Sequence, residues 1–432
     1  RSMSRSGDSR SPGEPVTPAQ RRLLVAQRLA PNAAHANVVR VLRLRGVVDV
    51  GRLEGALAAL VRRHASLRTT FPAGGDRQVV RGDAAFALAQ EHVRAAPEGA
   101  RVDIAAQIGS EESLRPFDLA CAPLLRARLV CFDDNDHILC IAVHNIACDG
   151  WSLGLLAREL ADGYTSPTSG ADSPPDAPAI PTPEGAKRAE TIAWWRSTLD
   201  GAPGAFEWPA ARAPRSFEAR RLVARPGEAL TAAVATLARA AAVTPYVVHL
   251  AAFLVSLRAL GAGDDLVIGS PVSRRTAASR TRVGLYTDMI AIRVDLGGNP
   301  EFEVLLGRTR AAATAAFLRQ DVAYQDLVDV LPARAAPQEW PLFDAVLNVT
   351  GDRQRIPATW SGLNVAPIAI PRCHALPALS LFVRDDRPCV LEAVHRLDAL
   401  AAGDGAAFLA GHLRLLAKAT SDPARRIDAL AD

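Results

Sequence analysis

From Asn37 to Val48 the run NVVRVLRLRGVV alternates apolar with polar residues, the period of a strand that buries one face. Leu53, Leu57, Leu60 and Val61 then recur at helical spacing, which predicts an amphipathic helix closing near Arg63 to Leu67. Leu124 to Phe132 and His137 to Val143 read as two strands, and the turn residues Asp133-Asp134-Asn135-Asp136 between them predict a hairpin. Helical patterns are expected over Pro18 to Ala30, Leu153 to Leu160, Glu184 to Leu199, Ala229 to Ala241, Pro245 to Leu260, Phe302 to Leu318, Tyr324 to Leu331 and Ala406 to Ala417. Pro245 is placed to start the fifth of these. Strand-like runs are expected at Leu266 to Gly269, Leu285 to Val294 and Phe343 to Val349.

Two stretches break this pattern. The first, Arg1 to Val16, is polar, rich in Ser and Arg, and reads as a disordered leader. It has no apolar stretch of the kind a secretory signal needs. The second, Ser166 to Gly185, carries six prolines, which fix φ and remove backbone donors, so neither helix nor sheet propagates through it. The expected organisation is therefore a leader (1–16), an N-terminal lobe (17–165), a proline-rich linker (166–185) and a C-terminal lobe (186–432), in a mixed α/β fold. Met3 reads as the natural start, with Arg1 and Ser2 as a cloning remnant. That makes a free-standing protein the expectation, although Ala431 and Asp432 leave the other end open.

Composition narrows the function. Lys and Arg total 50 against 46 Asp plus Glu, so a net charge of +4 over 432 residues gives no reason to expect nucleic acid or a membrane surface as partner. The longest apolar stretch, Val247 to Leu257, is interrupted by His249 and Ser256 and falls short of the ~20 residues that span a bilayer. The six cysteines form no CxxC pair, and no histidine follows them at zinc-site spacing. They are expected as reduced thiols in a cytoplasmic protein, with no metal.

The segment Val143-His144-Asn145-Ile146-Ala147-Cys148-Asp149-Gly150-Trp151-Ser152 gathers polar groups where an apolar strand ends and a helix begins. One histidine near one aspartate reads equally well as a core histidine and a helix-capping carboxylate. The segment also resembles the HHxxxDG signature of nonribosomal peptide synthetase condensation domains, members of the chloramphenicol acetyltransferase-like superfamily. The resemblance runs in family order along nearly the whole chain from Thr17. Thr17-Pro18-Ala19-Gln20-Arg21-Arg22-Leu23 is similar to the first family motif, and Arg63-His64-Ala65-Ser66-Leu67-Arg68-Thr69-Thr70-Phe71 to the second. Further matches are Pro116-Phe117-Asp118-Leu119, Trp195-Arg196 with Leu199, Gly269-Ser270-Pro271-Val272 with Arg275, and Val283-Gly284-Leu285-Tyr286-Thr287-Asp288, where the family usually has Asn at 288. Gln320-Asp321-Val322 and Pro341-Leu342-Phe343 complete the series.

The resemblance implies a V-shaped pseudo-dimer of two acetyltransferase-like lobes with a substrate tunnel between them. Peptidyl or acyl carrier proteins would present phosphopantetheine-bound substrates, one amine would attack one thioester, and no dissociable cofactor would take part. A free small-molecule amine is the alternative acceptor, and a monomer is expected. Asp149 would pair with an arginine of the second lobe, best matched by Arg275. Gly150 would allow the tight turn, Trp151 would pack, and Ser270, Tyr286 and Asp288 would lie along the tunnel, Asp288 equally well ending a buried strand. Arg63 and Arg68 are either solvated helix charges or positioning groups.

The sequence departs from the family where chemistry is expected. His144 matches the first histidine, but the second, usually assigned to catalysis, is Asn145. Asparagine donates and accepts hydrogen bonds but takes up no proton near neutral pH. Adjacent strand side chains point to opposite faces, so His144 would face away from the tunnel. Three readings follow: amide formation without a protein base at 145, a catalytically silent relative that binds carrier proteins or recruits a tailoring enzyme, and a different reaction on a tethered chain.

Overall fold

The computed structural model describes residues 13–29, 36–72, 76–82, 84–93, 96–166, 184–203, 206, 208–209, 217–331, 342–351, 357–384 and 388–431. The expected linker lies outside the described residues except for Ser166, Glu184 and Gly185, and so does the leader up to residue 12. The end of that leader is ordered. β1 (Glu14–Pro15) pairs with β4 (Arg77–Val80), which in turn pairs with β3 (Thr69–Thr70), and Val16 is buried.

Two six-stranded sheets form the two lobes. The N-lobe sheet runs, in spatial order, β12 (Thr359–Trp360), β13 (Leu363–Ile368), β2 (Asn37–Arg45), β7 (Asp136–His144), β6 (Leu125–Asp133) and β5 (Ala89–His92). On one face Leu42, Leu44, Leu139 and Val143 pack with Leu53, Leu57 and Leu60 of α2 (Val50–Arg63) and Leu153, Leu156 and Leu160 of α4 (Gly150–Thr165). On the other, Val41 and Ile138 meet Ala105 and Ile108 of α3 (Arg101–Leu114). The alternation of β2 thus supplies both cores. α1 (Pro18–Leu29) contributes Leu23 and Leu24 to the larger one.

The C-lobe sheet runs β10 (Thr287–Asp295), β9 (Asp265–Ser273), β11 (Ala345–Thr350), β14 (Leu379–Arg384), β15 (Val390–Arg396) and β8 (Ala219–Ala224). Leu347, Leu381, Leu391 and Ala393 share one core with α6 (Glu228–Ala240), α7 (Pro245–Ala259), α8 (Phe302–Phe317) and α10 (Ala402–Ser421). α5 (Gly185–Leu199) and α9 (Tyr324–Val330) pack on each other, and α11 (Ile427–Ala431) closes the chain beside α7. A glycine sets one close approach. A Cβ at Gly269 would stand 2.2 Å from the Phe343 ring, so β9 and the segment entering β11 meet only because that side chain is absent.

The chain does not keep residues 186–432 in one lobe. β12 and β13 cross back, and β13 pairs with β2 from Asn364↔Arg45 to Ile368↔Val41. The loop 274–286 between β9 and β10 crosses too, placing Val283 and Leu285 in the N-lobe core. The N-lobe is therefore completed by chain from the C-terminal half. Among the described residues no cysteine forms a disulfide, no three His, Cys, Asp or Glu side chains gather to hold a metal, and no single helix is long and apolar enough to cross a membrane.

Two measurements test this packing. Trp360 is fully buried in the N-lobe core, its ring 6.3 Å from Tyr164. Trp360→Ala is expected to cost about 3–5 kcal/mol in urea denaturation; an unchanged midpoint would mean that the returning strands are dispensable. The second concerns His249 on α7 and His412 on α10, where burial pushes the pKa values down from 6.5 to about 4 and about 3. The folded state resists their protonation, so the stability they contribute is complete above pH 6.5 and is lost as pH falls towards the folded values, by about 1.4 kcal/mol per pH unit for each. Urea midpoints should fall from pH 7 to pH 5, and less steeply in His412→Gln; parallel curves would contradict this origin.

Candidate active site at the lobe junction

β7 ends at His144, and the chain turns through Asn145 to Cys148 before α4 begins. Asp149 is the N-cap of α4, accepting from Ser152 N at 2.9 Å, the role a carboxylate plays at a helix start. The same carboxylate is tied to the other lobe. Arg275 Nη2 donates to Asp149 Oδ1 at 2.8 Å, and both side chains are nearly inaccessible, at 4% and 2%. Tyr286 N donates to Oδ2 at 3.1 Å and Thr287 Oγ1 lies 3.4 Å from it.

The groups around this pair are densely bonded. Arg275 also donates through Nη1 to the carbonyls of Ser279 and Arg282 (2.6 and 2.7 Å) and through Nη2 to Ser152 Oγ (2.6 Å). Its guanidinium lies 4.2 Å from the centre of the Tyr286 ring and 5.8 Å from Trp151. Ser152 Oγ donates to Gly284 O and accepts from Gly284 N. Trp151 Nε1 donates to Arg280 O at 2.9 Å, so the indole anchors the crossing loop. Gly150 opens α4 and is partly exposed. A buried ion pair held by this many further hydrogen bonds fixes geometry, and removal of either member strands a charge.

The clamp holds the turn that presents residue 145. Asn145 N donates to Ala36 O at 2.8 Å, while its side chain is partly exposed and makes no hydrogen bond to another described residue. His144 is 2% exposed. Its Nδ1 accepts from Ile146 N at 3.2 Å, and its ring stands edge-on to Phe117 at 5.9 Å. The accepting nitrogen is committed to the backbone, and adjacent residues 144 and 145 divide into a buried and an accessible side chain.

Ser270, Tyr286 and Asp288, expected along a tunnel, are all buried with protein partners. Ser270 Oγ accepts from Tyr246 Oη at 2.8 Å and donates to Leu347 O at 3.3 Å, and burial pushes the Tyr246 phenol up to about 12. Tyr286 supplies the ring under Arg275, and burial raises its pKa. Asp288 sits 3.3 Å from Arg274 Nη1 and 3.7 Å from Arg22 Nη1 of α1, and accepts from Met289 N and Tyr324 N. The acidic residue at this position thus meets two arginines, one from each half of the chain.

Arg68 turns inward, donating to the carbonyls of Val61 and Arg81, whereas Arg63 is 41% exposed and 3.6 Å from Glu159. Ser66 Oγ donates to Val283 O of the crossing loop. Arg22 and Ser152 lie within stretches that resemble the family but receive no role from sequence, and Arg274 is not singled out. Ser152 stands three residues after the cap, a spacing that marks its backbone N–H but not its hydroxyl. Nothing local to Arg22 or Arg274 marks Asp288 as the partner, which the fold brings against them.

The family model of the condensation domain matches residues 13–365. The chain belongs to the condensation-domain family. Curated relatives include phosphinothricin tripeptide synthetase PhsB of Streptomyces viridochromogenes, 36% identical over 77% of this chain, and malpibaldin synthetase of Mortierella alpina, 30% identical over 78%. The matched region of this condensation domain spans 29% and 6% of the length of those two proteins. Among solved structures, the X-domain from teicoplanin biosynthesis superposes with a TM-score of 0.82 at 23% identity, covering 98% of both chains. The first condensation domain of the calcium-dependent antibiotic synthetase gives 0.76 at 18%, covering 97% of this chain and 99% of its own. At these identities the likeness is one of fold: the two-lobed architecture of condensation domains.

Arg275→Ala should destabilise the protein by about 3–5 kcal/mol, because it leaves Asp149 buried without its cation. Arg275→Lys should recover little, since one ammonium cannot reach the partners that the guanidinium fork serves. Denaturation midpoints of the two variants and the parent decide this. Near-complete recovery by lysine would assign the effect to charge alone.

Proposed function

We propose that this condensation domain forms an amide by attack of an amine acceptor on a carrier-protein-bound acyl or peptidyl thioester, with Asn145 as an orienting group and no protein base at that position. The observation that carries the reading is the contrast at the turn. The Asn145 amide is accessible and unengaged by the described residues, whereas His144 is buried with Nδ1 bound to Ile146 N.

The chemistry tolerates loss of the base. General base catalysis contributes roughly 100- to 10,000-fold where it operates. Holding two reactants in attack geometry supplies effective molarities of about 10⁵ M or more. A neutral amine is already nucleophilic and a thioester already activated, so positioning contributes more than proton removal for this pair. The Asn145 carbonyl oxygen would accept one N–H of the amine and aim its lone pair at the thioester carbon. The C–N bond forms, the C–S bond breaks, the thiolate leaves on the carrier's phosphopantetheine, and the surplus proton of the amine passes to water. A hydroxyl acceptor needs its proton removed during attack and would find no acceptor here strong enough. No dissociable cofactor enters this scheme, and the protein partners are the carriers.

A second reading, a silent domain that recruits a tailoring enzyme, is favoured by Asn145 and by the fold shared with an X-domain solved in complex with OxyB from teicoplanin biosynthesis.

Incubation with acyl-loaded carrier protein and matched amines and alcohols, followed by mass spectrometry, separates the two. Amide but no ester is expected from the parent. Asn145→Ala should lose on the order of 100-fold through misplacement of the amine. Asn145→His should gain up to roughly 100-fold and begin to accept alcohols. Carrier binding without product from the parent or either variant would replace this reading with recruitment.

A further inference from the structure

Phe117 belongs to the family-like stretch Pro116 to Leu119, and it stands against the turn of the site. Its buried ring meets the His144 ring edge-on at 5.9 Å. The Arg126 guanidinium lies over the same Phe117 ring, 3.8 Å from its centre, well inside the ~6 Å over which a cation is held by an aromatic face. Arg126 also grips the chain that leads into Phe117, donating through Nη1 to Pro116 O at 3.0 Å and through Nη2 to Arg115 O at 2.8 Å. Its Nε donates to Glu112 Oε2 at 3.3 Å, at the end of α3. One guanidinium thus fixes both the backbone and the ring that press on His144.

Two routes lead from Arg126 to residue 145. The first runs through Phe117 to His144, whose Nδ1 accepts from Ile146 N, so a tilt of that imidazole loosens the turn on the far side of Asn145. The second runs through backbone. Asn37 Nδ2 donates to Arg115 O at 2.7 Å and to Ser113 O at 3.2 Å, Asn37 pairs with His144 between β2 and β7, and the carbonyl of its neighbour Ala36 accepts from Asn145 N. Behind Arg126 lies a cavity of about 210 Å³, lined also by Glu112, Arg115 and Arg128. The Arg126 side chain is 21% accessible, so a small planar cation can reach its place.

We propose that Arg126 is a positioning residue for Asn145. Through Phe117 it keeps His144 on the turn, and through the segment 113–116 and Asn37 it keeps the strand ends that present the amide. The inference rests on the amide-forming reading, since it names a residue that serves that same site.

The test uses the whole chain, with NMR of histidine-labelled protein to read the His144 ring, assigned by His144→Gln, and steady-state amide formation to read the site. Arg126→Ala should shift the His144 signal and lower kcat by about 10- to 100-fold, with KM for the acyl-loaded carrier within about twofold of the parent. Guanidinium chloride far below denaturing strength should restore both, and sodium chloride of equal strength neither. Phe117→Leu should show the same two losses without rescue, because the missing ring lies beyond the added cation. Arg126→Lys keeps the charge but not the fork, and carries the test if the alanine variant does not fold; the same shift is expected at smaller amplitude. Arg128→Ala lines the same cavity and loses its own ion pairs with Glu91 and Glu111, and should leave signal and rate unchanged. An unmoved His144 signal in the Arg126 and Phe117 variants overturns the proposal, as does a moved signal with unchanged kcat, a change in KM alone, or an equal loss in Arg128→Ala. A signal that moves and returns with guanidinium, in a protein whose parent forms no amide from any carrier-bound substrate, would remove the amide-forming reading and keep the brace. Amide formation indifferent to Arg126 and Phe117 would do the reverse.

Discussion

The buried pair of Asp149 and Arg275 is the constraint on which the rest depends. A carboxylate taken out of water must be fully bonded, and this one is met by the start of α4, by a guanidinium from the other lobe and by the backbone entering β10. The requirement fixes three things together. The loop 274–286 must cross to the N-lobe, where Val283 and Leu285 then join its core. The turn 145–148 must hold its shape, because Asp149 closes it. The lobes must keep one separation, since their junction is pinned here and again where Arg22 and Arg274 meet Asp288.

How much of this was legible in the sequence follows from the range over which each signal acts. The hairpin of β6 and β7, helix α2 and the long apolar α7 are visible because each carries its own period or turn residues. Helix α3 escaped: its packing face uses Gly109, where a Cβ would stand 2.4 Å from Ile370 and 2.7 Å from Val41, so close approach replaces an apolar stripe. β13 contains Pro367 and finds its partner across the lobes, and β8, β14 and β15 are short strands, two of them with partners far away in sequence. A boundary drawn at the proline-rich stretch could not anticipate chain that returns from residue 357 onwards.

The site divides in the same way. The turn, the cap and the likeness to the condensation family are carried by consecutive residues. Burial is not. Ser270, Tyr286 and Asp288 share their neighbourhood with motif residues, yet Tyr246, Arg275 and Arg22 stand against them. Ion pairs and arginine clusters between lobes have no sequence period, and only the fold assembles them.

The role proposed for Asn145 is to steer a reactant without taking its proton. The pH dependence of single-turnover amide formation, measured with a series of acceptor amines of graded basicity, tests this most directly. If position 145 only orients, the inflection of each profile will follow the acceptor's own pKa, because the neutral amine alone attacks. An inflection fixed near neutrality whatever the amine would show a protein group accepting the proton, and the account of Asn145 would be contradicted.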